Sequence, residues 1–525
     1  MFAGSSYKHL YRSLGDLRSY ATERKRSTGK MFDTIVLGAG WSGAVTARDL
    51  AKKGYAVLVL EARDRVGGRA RTWVGKGDTR IDIGCSFIHG YKEGNPTGYI
   101  AKELNVPAHL PKPSESLIYG PNGPLSKAQA SSLTSALSAA QAAYKLPHPS
   151  PPPTASLASA LLSPSSPLFT TSTTPAPSSD LNNTNPANPS LPSLADSTPA
   201  TELVDPQLAK GLARTLELPL GVKLEKVSLK WAGWETITNF SGSDAAPEGG
   251  YQSLVEKVLE DAKSHGAKVL LNTKVISIEN TNEGVKVITD EEIYQGKTVI
   301  CTIPLGVLKT LPDDFFRPSL PTKTSEIIAG THVGCLEKLL LRYPHAWWPK
   351  AEEVGSYTFL PTSTTPLSST STPKEIFEAS SLSTASFATG SLPGQQPILL
   401  TYLSVDPATL LLKHPQQEVA KAFHEFLKER FGVHEEVPEP TEVIMTNWLT
   451  DEYARGATTT PSIISEHGER SPMDFKELGR PLWGGKLGFA GEHTEMEHRG
   501  SVAGAVISGQ REAERVDRLL KLWSA

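Results

Sequence analysis

The residues with the clearest chemical pattern are three glycines and an acid near the start of the chain. Gly38, Gly40 and Gly43 form a Gly-x-Gly-x-x-Gly turn, and Glu61 ends the next apolar run. Glycines at these positions permit a tight turn, let the backbone approach a pyrophosphate and let the following helix pack closely. The helix N-terminus offers N–H groups to the phosphates, and a carboxylate accepts hydrogen bonds from a ribose diol. The pattern predicts a dinucleotide site, for NAD or FAD.

A second candidate is a lysine inside an apolar strand. Residues 336–341 alternate so that Lys338 shares a face with Leu336 and Leu340. A lysine in such a position is either an edge-strand residue that discourages aggregation or a buried amine with a function. The strand pattern leaves both interpretations open.

The elements that position these groups follow from the surrounding pattern. Apolar runs at 35–37 and 55–60 flank a helix-forming stretch at 42–53, in the order strand, turn, helix, strand, acid. A helix is predicted over 416–431, with one apolar stripe and Gly432 after it. Further strands are predicted at 267–271, 273–278, 284–289, 298–303 and 487–491. Further helices are predicted to begin at about 249 and to cover about 500–520.

Charge and cysteine content exclude several classes of protein. The chain has 53 basic and 56 acidic residues, a net charge of -3, which gives no nucleic-acid footprint. Its apolar runs are too short to span a bilayer. The three cysteines lie far apart without metal-ligand spacing, which argues against a disulfide framework or a metal centre and fits a reducing compartment. A cytoplasmic location is expected.

Three segments are expected to lie outside the packed domains. Residues 1–30 are basic and are interpreted either as a mitochondrial presequence or, the favoured reading, as a disordered extension. A presequence would change the expected location to the mitochondrion. Residues 146–200 and 361–396 are rich in Ser and Thr, the first in Pro and Ala as well, and are expected to be disordered insertions.

Four motifs, in order, make the chain resemble the flavin-containing amine oxidase family, in its fungal-type polyamine oxidase branch. They are the glycine turn with Glu61-Ala-Arg-x-x-x-Gly-Gly-Arg69; Asp82-Ile-Gly-Cys-Ser-Phe-Ile-His-Gly90; Thr302-Ile-Pro-Leu-Gly-Val-Leu308 with Lys338 before Trp348; and Phe489-Ala-Gly-Glu-His-Thr leading to Gly500-Ser-Val-Ala-Gly-Ala505. The resemblance covers nearly the whole chain outside the three segments above.

The resemblance implies an α/β fold with a discontinuous Rossmann-like FAD-binding domain and an interwoven α+β substrate-binding domain. The FAD-binding domain would comprise residues 31–100, 245–310 and 440–525, and the substrate-binding domain residues 101–244 and 311–439. The implied cofactor is FAD. It is expected to bind non-covalently, because no cysteine precedes Trp448 and Gly456 at the place where a covalent link would form.

The resemblance also implies roles for single residues. Glu61 would bind the adenosine ribose, Val275 the adenine, and Glu492 the phosphate–ribityl region. The full implied set of cofactor-binding residues is Gly38, Gly40, Gly43, Glu61, Arg63, Gly68, Arg69, Gly84, Cys85, Ser86, Phe87, Val275, Gly491, Glu492, Ser501 and Val502. The implied catalytic residues are Lys338, at a water beside flavin N5, Trp448, beside the flavin, and His89, at the substrate channel. The alternative for Trp448 is a core aromatic, and a lone histidine such as His89 is usually a surface residue or a core residue with satisfied hydrogen bonds.

The implied activity is oxidation of polyamines or N-acetylpolyamines by hydride transfer to flavin N5. Molecular oxygen would be reduced to hydrogen peroxide, and the products would be an aminoaldehyde and an amine. Thr458 and Ser501 stand where many family members carry aromatic residues, so Thr458 is expected to leave the amine less well desolvated. The partners are a small amine and oxygen, and the sequence leaves the oligomeric state open.

Two alternatives from other functional classes remain. One is a degenerate FAD-binding protein that holds a hydrophobic or steroid-like ligand with little turnover, and the other is an enzyme of the monoamine oxidase type. A histone-lysine demethylase is disfavoured, because the insertions are rich in Pro and Ser where a long helical insertion is expected.

Overall fold

The computed structural model describes residues 26–145, 150–169, 204–234, 240–392, 394–460, 463–464 and 468–525. The strands in these ranges are β1 (Arg26–Leu37), β2 (Val57–Leu60), β3 (Thr72–Gly75), β4 (Thr79–Asp82), β5 (Ala108–His109), β6 (Glu115–Gly120), β7 (Gly123–Pro124), β8 (Ala246–Pro247), β9 (Lys268–Leu270), β10 (Val275–Asn280), β11 (Val285–Thr289), β12 (Glu292–Cys301), β13 (Phe316–Arg317), β14 (His332–Gly334), β15 (Glu337–Arg342), β16 (Val354–Phe359), β17 (Leu382–Ser386), β18 (Ile398–Leu403), β19 (Glu442–Met445), β20 (Thr458–Thr460) and β21 (Leu487–Phe489). The helices are α1 (Trp41–Lys52), α2 (Pro96–Glu103), α3 (Lys127–Lys145), α4 (Leu157–Leu161), α5 (Pro206–Arg214), α6 (Glu217–Leu220), α7 (Tyr251–Ser264), α8 (Leu305–Leu308), α9 (Thr322–Gly330), α10 (Pro373–Glu378), α11 (Val405–Leu411), α12 (Gln416–Phe431), α13 (Met473–Leu478) and α14 (Val502–Ser524).

The first sheet carries the predicted dinucleotide elements. Its order is β13-β10-β11-β12-β1-β2-β9, and β21 pairs with the carboxyl end of β12. Strands β1, β2, β12 and β21 run parallel, while β10 and β11 pair in the antiparallel direction. The carboxyl ends of parallel strands meet at one edge of a sheet, where open α/β sheets bind their ligands. Gly38, Glu61, Thr302 and Gly491 follow these strand ends and therefore meet at that edge.

Helices α1, α7 and α14 pack together over one face of this sheet. Close approach depends on glycine at two contacts. A Cβ at Gly43 would collide with the carbonyl oxygen of Gly38, so α1 can lie against the turn only with glycine there. A Cβ at Gly509 would come within 2.6 Å of the carbonyl oxygen of Ser42, so α14 needs glycine where it crosses α1.

The second sheet has the order β19-β15-β18-β17-β16-β6-β7. Helix α12 covers it with the predicted apolar stripe, which includes Val419, Phe423 and Phe426. Gly432 ends α12 in the left-handed conformation, with φ 66°, as predicted. Among the described residues, the helices are all too short or too polar to cross a bilayer.

The expectation of disorder is wrong for most of the insertion at 361–396. Helix α10 and strand β17 form within it, and every residue of Leu382–Ser386 is buried. The strand lies between β16 and β18, where the Thr384 and Thr401 hydroxyls hydrogen-bond to each other at 2.6 Å. Small hydroxyl side chains with mutual partners can be buried, so the composition was a poor guide here.

The other segment boundaries also need correction. Of the insertion at 146–200, residues 150–169 are folded and contain α4, whereas 146–149 and 170–200 lie outside the described residues. The N-terminal extension ends earlier than expected, because β1 already pairs with β12 from Arg26; residues 1–25 lie outside the described part. Strand β13 belongs to the first sheet and β19 to the second, so the domain boundaries near residues 310 and 440 shift.

Candidate active site

One cavity of about 690 Å³ begins at the edge of the first sheet and continues past β15 to helices α3, α4 and α6. Each predicted cofactor-binding or catalytic residue lines it, with the exception of Gly43, whose role is the close helix contact described above. The fold thus brings together residues from all four motifs, which extend from Gly38 to Ala505 in the chain.

The glycine turn and Glu61 form the nucleotide end of the cavity. Gly38 has φ +103°, a conformation that favours glycine, and Gly40 lies at the N-cap of α1. The Glu61 carboxylate accepts hydrogen bonds from the N–H of Ala39 at 2.7 Å and of Arg63 at 2.9 Å. A carboxylate has about four acceptor positions, so Glu61 retains capacity for two hydroxyl groups.

Arg63 lines the same end, but its guanidinium group is paired within the protein. It makes a bidentate contact with Asp451, at 3.0 and 2.6 Å, and lies over the ring of Tyr453 at 5.2 Å. Its guanidinium group is therefore fixed in the cavity wall, and Asp451 balances its charge.

Arg69, which is partly buried, and Glu492, which is buried, form an ion pair that lines the cavity. Arg69 Nη1 donates to Glu492 Oε1 at 2.9 Å, while the Thr459 hydroxyl and the Gly500 N–H donate to Oε2. Burial alone would raise the pKa of Glu492, but the charge of Arg69 and these hydrogen bonds outweigh it, so the pKa is lowered. The carboxylate stays ionised and holds Gly500 at the start of α14.

Lys338 projects into the cavity from the second sheet. Strand β15 has β18 on one side and β19 on the other, which excludes the edge-strand interpretation. The Lys338 Nζ donates to the carbonyl oxygens of Asp82 at 2.9 Å and Gly84 at 2.6 Å, and to the Ser86 hydroxyl at 2.7 Å. Burial lowers the pKa of Lys338 to about 8.

Trp448 and His89 line the same cavity as Lys338. Trp448 is 6 % exposed, and its Nε1 donates to the Ile83 carbonyl oxygen at 3.2 Å. The His89 side chain is 54 % exposed, and its Nδ1 lies 2.9 Å from the buried carboxylate of Asp244. Asp244 also accepts a hydrogen bond from the Gly90 N–H at 2.9 Å, so it orients the whole His89 loop.

Comparison with known proteins identifies the family of the chain. The family model described as "Flavin containing amine oxidoreductase" matches residues 41–517. The chain belongs to this family. The family and fold class expected from the sequence are confirmed, and a flavin is the cofactor that this family contains.

The chain is also similar to curated plant proteins. It is 27 % identical over 499 residues to "Lysine-specific histone demethylase 1 homolog 1" of Arabidopsis thaliana, a match that covers 93 % of this chain and 52 % of that protein. It is 25 % identical over 489 residues to "Probable polyamine oxidase 4" of Arabidopsis thaliana, covering 93 % of this chain and 87 % of that protein. The chain thus spans about half the length of the demethylase-named relatives and most of the oxidase-named one.

The structure accounts for the small residues at 458 and 501. Thr458 lies in β20 against two backbone glycines: a Cβ at Gly221 would come within 2.6 Å of its Cγ2, and a Cβ at Gly500 would collide with its Oγ1. The Ser501 hydroxyl is the N-cap of α14 and accepts from the Gly504 N–H at 3.0 Å. The segment after α6 therefore occupies space that an aromatic side chain at 458 would need.

Replacing Thr458 with tyrosine is expected to destabilise the protein by about 1–3 kcal/mol, because the ring would overpack the contact with Gly221 and Gly500. Thermal unfolding of the purified protein measures this, and Thr458→Ser, which keeps the hydroxyl, serves as the matched control. A tyrosine variant that unfolds at the wild-type temperature would show that space for an aromatic residue exists.

Several cavity residues were missed by the sequence reasoning. Asp244 is 155 positions from its partner His89, and nothing in its local sequence marks it. Tyr402 lies opposite Lys338 in the β15–β18 register, and the Lys338 Nζ is 5.4 Å from its ring centroid. Phe240 stacks on His498 with ring centroids 4.3 Å apart. None of Asp244, Tyr402 and Phe240 lies within one of the four motifs.

Proposed function

We propose that this chain oxidises polyamines or N-acetylpolyamines with non-covalently bound FAD. The observation that carries the proposal is the placement of Lys338. A buried lysine with a pKa near 8 lies in the same cavity as the glycine turn and Glu61. The family match and the polyamine oxidase-named relative support the substrate class.

The residues present fit a dinucleotide. A Cβ built on Gly40 meets no atom nearer than 4.0 Å, so glycine leaves open space where a pyrophosphate needs to reach the backbone. The N-terminus of α1 faces that space and has no side-chain cap. Cys85 lines the cavity, but burial raises the pKa of its thiol, and a protonated thiol is a poor nucleophile for a covalent link.

The chain's own residues supply position and electrostatics. Bound FAD would supply the redox chemistry, namely hydride acceptance from the carbon beside the amine nitrogen and electron delivery to oxygen, with an imine and hydrogen peroxide as products. Lys338 holds a positive charge inside the cavity, and its three N–H donors are committed to Asp82, Gly84 and Ser86. Trp448 excludes water from one wall, and the Asp244–His89 pair orients a polar group at the substrate side.

Anaerobic mixing tests the proposal directly. Purified, FAD-loaded protein is mixed with spermine, N-acetylspermine, benzylamine or a dimethyl-lysine peptide, and loss of the oxidised flavin absorbance is followed. Reduction by the two polyamines, and slower reduction by the others, is the expected result. Reduction by benzylamine alone indicates a monoamine oxidase. Reduction by the peptide alone indicates a lysine-specific histone demethylase, the activity in the name of the first relative. No reduction by any amine would leave the degenerate binding protein as the better explanation.

A further inference from the structure

The substrate half of the cavity has one apolar wall. It consists of Leu157 and Leu161 from α4, Leu216 just before α6, and Pro219 and Leu220 within α6. In each segment the leucines are four residues apart, so they lie on the same helical face. We call these five residues the apolar wall. Leu157 and Leu161 belong to a segment that was predicted from its composition to be disordered, and this segment forms part of the cavity lining.

The apolar wall is held in place by hydrogen bonds and ion pairs behind it. The N–H of Leu157 donates to the Val227 carbonyl oxygen at 2.9 Å. Arg214 donates to Glu217 at 2.7 Å and to Glu225 at 2.8 and 2.5 Å, which joins α5, α6 and the following loop. Because these contacts join protein groups to one another, they fix the position of the wall relative to α5 and the loop after α6.

The half of the cavity beside the apolar wall offers few carboxylates to pair with the ammonium groups of a substrate. Among its described lining residues, the carboxylates are Asp244 and Glu497, and Asp244 already accepts hydrogen bonds from His89 and Gly90. Lys145 and Arg499 add positive charge to the same lining. A free polyamine carries several ammonium groups that each need a carboxylate or water. An amine with one apolar end needs fewer such partners and covers the leucines.

We propose that the apolar wall binds an aliphatic chain on the non-reacting end of the substrate. The preferred substrate is then a polyamine capped at one end by an acyl chain longer than acetyl. This inference rests on the proposed function and specifies its substrate. Burying one methylene group against such a wall strengthens binding about threefold to fourfold.

The test compares spermidine, N1-acetylspermidine and N1-hexanoylspermidine in anaerobic flavin reduction by the FAD-loaded protein. The quantity compared is the rate constant of flavin reduction divided by the dissociation constant of the substrate. This ratio is expected to be at least about tenfold higher for the hexanoyl compound than for the acetyl compound, because four further methylene groups are buried. Equal efficiency of the two acyl compounds, or a preference for free spermidine, overturns the inference while leaving the proposed function standing. No reduction by any of the three contradicts the proposed function itself.

Two variants localise the effect. Leu157→Asn and Leu220→Asn are each expected to bring the hexanoyl-to-acetyl ratio close to one. Leu110→Asn is the matched control, because Leu110 is 54 % exposed and does not line the cavity. It is expected to keep the full ratio. Bound flavin and the unfolding temperature of each variant show that it is folded, and a ratio unchanged in both wall variants would place the acyl chain elsewhere.

Discussion

Replacing Lys338 with methionine is expected to slow reaction of the reduced flavin with oxygen by about 10²–10³-fold, the range typical of removing one preorganised electrostatic group. The reason is geometric: the Nζ is fixed by Asp82, Gly84 and Ser86 inside the cavity, and methionine keeps the length but not the charge. Affinity for FAD is expected to fall much less, because the ion pair and the glycine turn remain. Stopped-flow reoxidation with oxygen measures the first quantity, and flavin titration of the apoprotein measures the second.

The pH dependence gives an independent check on Lys338. Its pKa of about 8 means that the amine is protonated below that pH and neutral above it. If the ammonium form assists oxygen reduction, the wild-type reoxidation rate falls as the pH rises through about 8, and the methionine variant shows no such step. Between about 8 and the ordinary value of 10.5, the unfolded chain binds more protons at this lysine than the folded one. The free energy of unfolding therefore rises with pH across that window in the wild type relative to the variant.

A second lysine provides the matched control. Burial also lowers the pKa of Lys309, whose Nζ donates to the Ala329 carbonyl oxygen, but Lys309 lies outside the cavity. Lys309→Met is expected to leave reoxidation unchanged. Equal losses of FAD affinity and reoxidation rate in Lys338→Met would show that the lysine is structural.

The parts of the fold that could be predicted are those that local sequence determines. Residues 35–61 predict the order strand, turn, helix and strand, because the spacing of the glycines and apolar runs is the one that a dinucleotide-binding unit requires. Helix α12 was predicted to the residue for a similar reason, since its stripe and its terminal Gly432 agree. Local consistency of this kind needs no knowledge of distant neighbours.

The parts that could not be predicted depend on partners far along the chain. Whether Lys338 was on an edge strand was undecidable until β19, a hundred residues later, was seen to pair with β15. Strand β17 is polar in composition and is buried only because β16 and β18 flank it. The place of Thr458 is set by Gly221, which no nearby motif marks. In each case the environment, more than the residue itself, decides the structure.

The largest effect on cofactor binding is expected from Gly40→Val. Gly40 has φ -78°, an ordinary value for any residue, and a Cβ there meets open space. The variant should therefore fold, with a cost of about 1 kcal/mol or less from a poorer N-cap. The valine side chain would fill the space beside the N-terminus of α1, so FAD affinity is expected to fall by at least about 100-fold, or about 2.7 kcal/mol. Equilibrium titration with FAD and thermal unfolding of the apoprotein separate the two effects.

Two other glycines show whether the loss is specific. Gly390 is exposed and without positive φ, and its nearest contact for a Cβ is Gln395 Nε2 at 3.4 Å, so Gly390→Val should keep both fold and FAD. Gly43→Ala should instead destabilise the apoprotein, because its Cβ would collide with the Gly38 carbonyl oxygen. Two glycines of one turn are thus expected to fail differently, Gly43 through the packing of α1 and Gly40 through the ligand. A Gly40→Val protein that binds FAD as tightly as the wild type would mean that the pyrophosphate lies elsewhere in the cavity.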